Sequence, residues 1–479
     1  MLVYAIAAIL AVFVYLKFIR RSPEDYEILS KYYGDRCWTK EDEIVDTSIR
    51  PFKIDVSDSE IEDLNKRLDN VRFPSPSLED TKFTYGVNQE FMKKFVDYWR
   101  NSYSWREQEK YLNKYPHFKT RIEGLDIHFV HFKPKTMSTL NQPRPLMLLH
   151  GWPGSFLEFY KMIPMLTDPT SHGGNETDLF EVIIPSIPGY GFSQASEIQG
   201  LGSLNCARIF HKLMLRLDHK KYYVQGGDWG SVIGSNMAML YPSAVKGYHF
   251  NMINGGLNSL TVVKMLIASF APNLFFDKED VKANFPVKNL FIKLWKEFGY
   301  LHLQATKPDT VGFALSDSPV GLAAYIVEKF AVWTDPDSVD NDDGNIPKHW
   351  TYDELLNNIM IYWLSGNVTS SLRFYKETFS DLMITRDIKV RVPAGFAAFP
   401  SEVFHGMKCD IEYKCTRLLS YTRMREGGHF AAFQVPHVLT EDFRQFVRQI
   451  ERVDLREKMD ESEFAQEYKQ TQLDRFETS

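Results

Sequence analysis

Cysteine is scarce in this sequence. Four cysteines occur among 479 residues, and these are Cys37, Cys206, Cys409 and Cys415. That number is too small for a fold built on disulfides, and no pair has the C-x-x-C spacing that favours a zinc site. We therefore expect free thiols.

Basic residues do not outnumber acidic residues either. Lysine and arginine number 56 against 62 acidic residues, which gives a formal net charge of −6 and a pI near 6.1. This balance argues against a nucleic acid as partner. Internal repeats are also absent from the sequence, which excludes solenoid and propeller architectures.

Charged side chains are absent from residues 1–16, and Lys17, Arg20 and Arg21 follow. A membrane span needs about 20 mainly apolar residues, with a lower limit near 17, and Lys17 can extend to the interface. A cleavable signal peptide would carry its basic residues before the apolar run. We therefore expect residues 1–21 to form a retained single-pass anchor in contact with lipid. The basic flank predicts that the rest of the chain faces the cytosol, on the endoplasmic reticulum.

Residues 226–230 (GGDWG) have the small-x-nucleophile-x-small pattern of a sharp turn between a strand and a helix. The central residue is Asp228 where an esterase would carry serine. A carboxylate can displace a leaving group from a saturated carbon and form an ester that water cleaves, whereas serine would form an unreactive ether. Asp228 therefore indicates an epoxide or an alkyl halide as substrate. By itself this short pattern is equally typical of an ordinary glycine-rich turn.

Two further stretches make an ordinary turn the weaker interpretation. The apolar run 146–149 leads into residues 150–154 (HGWPG), and this loop supplies one backbone N–H to an oxyanion hole. The candidate donors are the N–H groups of Trp152 and Trp229. Downstream, Glu402 follows a predicted strand and His429 lies in a glycine-rich loop. The chain order of Asp228, Glu402 and His429 is the order of nucleophile, acid and base that an α/β-hydrolase requires.

These stretches, and several others, resemble the microsomal epoxide hydrolases, including the juvenile hormone epoxide hydrolases. The resemblance extends from the N-terminus to about Glu451. Beyond the catalytic stretches it rests on residues 304–310 (QATKPDT), 317–325 (DSPVGLAAY), 373–377 (RFYKE) and 428–433 (GHFAAF).

The resemblance implies a role for each matching residue. Asp228 is implied to be the nucleophile, His429 the general base, and Glu402 the group that orients this base. Tyr300 and Tyr375 are implied to hold the epoxide oxygen, and a phenol with a pKa of about 10 can donate a proton to it at neutral pH. The implied substrate is a small lipophilic epoxide, with water as the second reactant, and the implied mechanism needs no metal and no organic cofactor.

The expected fold class is α/β, with an α/β-hydrolase fold interrupted by a helical lid. Within the N-terminal segment, residues 57–60 (SDSE) have capping-box form, which predicts a helix start. The predicted divisions are an anchor at 1–21, a linker and wrapping segment at 22–140, the first half of the core at 141–255, the lid at 256–385, the second half of the core at 386–450 and a charged tail at 451–479.

Two other functions stay open at the level of the sequence. A haloalkane dehalogenase shares the Asp-Trp pair, but an Asn or Glu is expected at the position of Trp152. A silent binder of a hydrophobic hormone could dispense with the catalytic groups, yet this chain retains all three. The sequence does not distinguish among xenobiotic, fatty-acid and terpenoid epoxides.

Overall fold

A computed structural model describes residues 29–40, 46–134, 142–253, 264–265, 267–269 and 271–477, with side chains to residue 456. The chain divides into two compact units, Met1–Asp35 and Arg36–Ser479, and all the site residues belong to the second. The predicted anchor at 1–21 lies outside the described residues. Among the described residues, no single helix is long and apolar enough to cross a membrane. Two consecutive helices, Pro308–Asp317 and Pro319–Val332, together have sufficient length and apolar composition, but the chain bends by 116° between them.

A nine-stranded sheet runs through the second unit in the order β1-β2-β3-β5-β4-β6-β7-β8-β9. Neighbouring strands are antiparallel from β1 to β5 and parallel from β5 to β9. The strands are β1 Ile49–Phe52, β2 His117–Ile122, β3 Leu125–Phe132, β4 Arg144–Leu149, β5 Phe180–Pro185, β6 Tyr222–Gly226, β7 Val245–Phe250, β8 Ala394–Ala398 and β9 Leu418–Arg423.

Helices cover both faces of this sheet, since every residue of β5, β6 and β8 is buried. In chain order they are α1 Asp58–Asp69, α2 Gln89–Asn101, α3 Trp105–Leu112, α4 Met162–Thr167, α5 Ser203–Arg216, α6 Asp228–Leu240, α7 Lys278–Asn284, α8 Val287–Glu297, α9 Gly299–Thr306, α10 Pro308–Asp317, α11 Pro319–Val332, α12 Ile346–His349, α13 Tyr352–Ser365, α14 Val368–Thr385, α15 Lys408–Lys414, α16 Ala431–Gln434 and α17 Pro436–Glu477. The predicted capping box is confirmed at α1, where Ser57 and Glu60 bond reciprocally.

The long interval between β7 and β8 contains helices α7 to α14, which is the stretch where a lid was expected. Three side chains illustrate how the N-terminal segment contacts these helices. Tyr98 donates to Asp353 at 2.9 Å, Tyr103 donates to Asn357 at 2.7 Å, and Arg67 reaches Asp317. These bonds agree with a wrapping segment, but the division into separate domains stays a prediction.

At the C-terminal end, α17 continues without a break from Pro436 to Glu477. Its first part packs on the sheet through buried apolar side chains that include Phe443, Phe446 and Ile450. The helix thus extends beyond residue 450 into the stretch predicted as a charged tail, 451–479.

Candidate active site

Asp228 occupies a strained turn between β6 and α6. Its φ of +47° lies in the left-handed region, where a non-glycine residue persists only because its surroundings hold it there. Two glycines allow the close crossing of strand and helix. A Cβ at Gly230 would lie 1.9 Å from the carbonyl oxygen of Leu149, and one at Gly226 would lie 2.4 Å from the backbone of Gly230. The local sequence thus projects the Asp228 carboxylate beyond the end of the parallel strands.

The loop after β4 lies directly against this carboxylate. The backbone N–H of Trp152 donates to Oδ1 of Asp228 at 2.7 Å. A Cβ at Gly151 would lie 2.0 Å from the same oxygen, so glycine is needed there for the loop to approach. Trp229 follows the nucleophile, and its indole packs edge-on against Tyr375 at 4.7 Å between ring centroids.

His429 lies between two carboxylates. Its Nδ1 is 2.8 Å from Oε1 of Glu402, and its Nε2 is 3.3 Å from Oδ2 of Asp228. Oε1 of Glu402 also accepts the N–H of Val403 at 2.8 Å, and the backbone N–H of His429 donates to the carbonyl of Trp333 at 3.0 Å. These contacts fix the imidazole with Nε2 directed at the Asp228 carboxylate.

Two opposing effects set the charge on His429. Burial lowers the pKa of the imidazole, but the negative charges and hydrogen bonds of Glu402 and Asp228 outweigh it and hold this pKa well above its ordinary value. The imidazole is therefore an imidazolium while both carboxylates are ionised. Removing either negative charge would lower its pKa.

Tyr300 and Tyr375 lie together near Asp228, on the helices α9 and α14. Their ring centroids are 6.0 Å apart, and Tyr300 stacks on Trp152 at 5.4 Å with an interplanar angle of 9°. Burial raises the pKa of both phenols well above the ordinary value, and the charge of Asp228 adds to this rise. Both phenols therefore stay protonated and able to donate.

Sequence reasoning did not identify two residues that line this site. Trp333 packs its ring on His429 at 4.7 Å between centroids. No pattern in the sequence around Trp333 predicts this contact. Glu158 lies in the loop after β4, and its Oε1 would be 1.6 Å from a Cβ at Gly154. Burial raises the pKa of its carboxyl to about 8, with the charge of His429 acting in the opposite direction and that of Asp228 adding to the rise. The feature of the sequence that could have identified Glu158 is an acidic residue eight positions after His150.

One group in the described part of the chain has metal-ligand spacing, and it consists of His131, Glu181 and His219. Oε1 of Glu181 already lies 2.7 Å from His131 and 3.0 Å from His219, while Lys133 lies 3.3 Å from its other oxygen. Burial raises the pKa of Glu181, but these hydrogen bonds lower it well below its ordinary value. The group forms an ion-pair cluster and has no part in the site around Asp228.

The sheet order and the Asp228 turn define an α/β-hydrolase with an aspartate at the nucleophile position. The model "Epoxide hydrolase N terminus" matches residues 49–159, and "alpha/beta hydrolase fold" matches residues 144–339. The chain belongs to the epoxide hydrolase family that includes the microsomal and juvenile hormone epoxide hydrolases, and it is therefore a hydrolase. The resemblance drawn from the sequence is confirmed.

Three relatives illustrate the similarity. "Epoxide hydrolase 1" of Sus scrofa is 49% identical over 92% of this chain and 97% of its own length. "Juvenile hormone epoxide hydrolase 1" of Ctenocephalides felis is 47% identical over 92% of this chain and 94% of its own length. The crystal structure of juvenile hormone epoxide hydrolase from the silkworm Bombyx mori has a TM-score of 0.81 and 39% identity, covering 85% of this chain and 96% of that one.

Proposed function

We propose that this protein hydrolyses lipophilic epoxides to vicinal diols through a covalent ester of Asp228. One observation carries the proposal, namely the position of the Asp228 carboxylate. Oδ1 accepts a backbone N–H from Trp152 at 2.7 Å, and Oδ2 lies 3.3 Å from Nε2 of His429. Two protonated phenols, Tyr300 and Tyr375, are grouped on the Trp152 side.

In the first step, a carboxylate oxygen of Asp228 attacks an epoxide carbon from the side opposite the C–O bond. The new C–O bond forms as the ring bond breaks, and negative charge appears on the departing oxygen. Tyr300 and Tyr375 hold that oxygen, and one of them transfers its proton. Their raised pKa keeps them protonated at neutral pH, so the donors are present before the substrate binds.

In the second step, water attacks the carbonyl carbon of the ester while His429 takes a proton from that water. Esterification removes one of the two negative charges that raise the pKa of His429. The imidazolium then gives its proton to the phenolate left by the first step, which restores that phenol and makes the neutral imidazole a base. Glu402 orients the ring and stabilises the imidazolium that forms. As the intermediate collapses, the second proton of the attacking water passes to the leaving oxygen and the diol is released. His429 is left as the imidazolium and Asp228 as the carboxylate with which the cycle began.

The tetrahedral intermediate of this step carries a negative oxygen, for which we assign the N–H groups of Trp152 and Trp229 as the oxyanion hole. Trp152 already donates to the corresponding carboxylate oxygen. Loss of one such donor typically raises the barrier by about 2.7–4 kcal/mol.

The substrate class follows from the walls of the site. The phenols are surrounded by the aromatic faces of Trp152, Trp229 and Trp333, which suits an apolar epoxide.

We further propose that residues 1–21 anchor the protein in the endoplasmic reticulum membrane with the catalytic unit in the cytosol, so that substrates dissolved in lipid are near it. Helices α7 to α14 would then form the lid over the site.

His429→Gln tests the two-step mechanism. Asp228 needs no base for the attack, so this variant should form the ester and fail to hydrolyse it. Intact-protein mass spectrometry after incubation with excess epoxide should show a mass equal to enzyme plus substrate, and peptide mapping should place the adduct on Asp228. The exposed residue His437 provides the matched control, since His437→Gln should turn over without accumulating an adduct.

Heavy-oxygen water sharpens this test in the wild-type protein. In a first single turnover, the oxygen entering the diol should come from the Asp228 carboxylate, and the solvent label should appear in Asp228. A diol fully labelled in that turnover, or no adduct on a His429→Gln protein that still binds epoxide, would show that water attacks the epoxide directly.

A further inference from the structure

We propose that the outer face of α8, made by Phe291, Ile292 and Trp295, docks on the surface of an anionic phospholipid bilayer. This docking face is separate from the apolar segment 1–21, and the inference does not depend on the epoxide chemistry. It would give the protein a second lipid contact, next to the catalytic site.

The apolar side chains of the docking face are largely exposed. The exposed fractions are 65% for Phe291, 44% for Ile292 and 90% for Trp295. Residues 291 and 295 are four apart and so lie on one side of the helix. The adjoining side of the helix already supplies the core contacts, because Val287 and Leu290 pack against a buried cluster that includes Met265, Phe276 and Met407. Exposed apolar surface of this kind marks an interaction site.

The charges around the docking face fit lipid headgroups. α8 contains three lysines, Lys288, Lys293 and Lys296, all exposed, and a single acid, Glu297, at its last position. Aromatic residues on one side with lysines at the flanks are typical of helices that lie in a membrane interface. Each lysine near an anionic surface contributes about 1 kcal/mol of binding.

A second copy of the chain is a poorer occupant of the same face. A two-fold interface would place the docking face against itself, and the lysines of one copy would then approach the lysines of the other. Like charges brought together in this way oppose association. An anionic bilayer instead satisfies the apolar side chains and the lysines together.

The docking face is also connected to the catalytic site by a short piece of chain. α8 ends at Glu297, Phe298 follows, and α9 begins at Gly299 with Tyr300 as its second residue. Trp295, which would enter the lipid, is thus only five positions before a phenol that lies beside Asp228. A bilayer in contact with α8 would therefore lie close to the wall of the site.

Tryptophan fluorescence tests this proposal in the full chain. The chain has nine tryptophans; seven are buried, Trp363 is half-buried, and Trp295 is the exposed one. In vesicles of phosphatidylcholine and phosphatidylserine with brominated acyl chains, the wild-type emission should be quenched. Trp295→Phe should lose most of this quenching, and the matched control Trp363→Phe should retain it.

The lysines are tested in the same vesicles. Replacing Lys288, Lys293 and Lys296 together by glutamate should reduce the quenching, whereas the same exchange at the exposed Lys66, Lys94 and Lys110 should not. The proposal is overturned if brominated lipid fails to quench the wild type, if Trp295→Phe leaves the quenching unchanged, or if the α8 glutamate variant keeps it. Shielding of Trp295 from aqueous acrylamide without quenching by lipid would instead assign the face to a second copy or to another segment of the chain.

Discussion

At the scale of single residues, the catalytic groups differ in how visible they are in the sequence. Asp228, Glu402 and His429 could be predicted because short patterns around them require a turn, a strand end and a loop in a fixed chain order. Tyr300 and Tyr375 followed only from the family resemblance, since two tyrosines on helices resemble any of the 24 in the chain. Glu158 and Trp333 were missed because burial against His429 and Asp228 is a property of the folded chain. The roles assigned to all these residues stay predictions.

Glu158 gives a prediction about stability and pH. Its pKa is raised from 4.5 to about 8, so between these values the folded protein holds a proton that the unfolded chain has released. Stability therefore falls as pH rises through this window. Glu158→Gln cannot ionise, and its gain in Tm over wild type should grow from about pH 5 to about pH 8 and then level off.

Thermal unfolding of the purified full chain across this window measures the effect. Glu107→Gln, an exchange of the same chemistry on the exposed side of α3, should leave the pH dependence of Tm unchanged. A difference in Tm between Glu158→Gln and wild type that stays constant with pH would contradict the raised pKa.

At the scale of elements, the crossing of β4 and α6 holds the nucleophile in place. Gly230→Ala would put a Cβ 1.9 Å from the backbone oxygen of Leu149, and neither element can move without displacing Asp228. We expect a loss of about 1–3 kcal/mol in the free energy of unfolding, as is usual for overpacked sites, together with loss of turnover.

The control for this exchange is Gly299→Ala at the start of α9, because a Cβ there meets no atom within 4 Å. Alanine favours helix, so this variant should be neutral or slightly stabilised. Denaturant unfolding curves of both variants give the comparison. A Gly230→Ala protein as stable as wild type would show that the crossing can open without cost.

The elements themselves were predicted more fully than their arrangement. The strand before Asp228, the helix after it and the capped start of α1 follow from local patterns and agree with β6, α6 and Ser57. The position of β3 beside β5 depends on contacts between distant parts of the chain. No local pattern specifies such contacts.

At the scale of the whole molecule, the proposed anchor predicts where the protein is found. Deleting residues 1–21 should move the protein from the membrane pellet to the supernatant after a carbonate wash and leave turnover of a water-soluble epoxide largely intact. All the proposed catalytic residues belong to the separate unit Arg36–Ser479, which is the reason to expect activity. Membrane fractions probed by immunoblot, with turnover assayed in parallel, provide the measurement.

A chain shortened by residues 457–479 serves as the control for that deletion and should stay in the pellet. A protein lacking residues 1–21 that still resisted the carbonate wash would show that the anchor is not the main attachment. A contact through α8 that rests partly on lysines should be released by such a wash, since carbonate deprotonates and screens them.

The five-residue step from Trp295 to Tyr300 has a consequence for how the kinetics are read. A protein whose active-site wall adjoins a bilayer draws an apolar substrate from a surface, so the effective concentration is a mole fraction in the lipid and not an amount per volume of water. Adding inert lipid at constant substrate would then dilute the substrate in two dimensions. Turnover of an apolar epoxide would fall with added lipid, while that of a water-soluble epoxide in the same vesicles would not change.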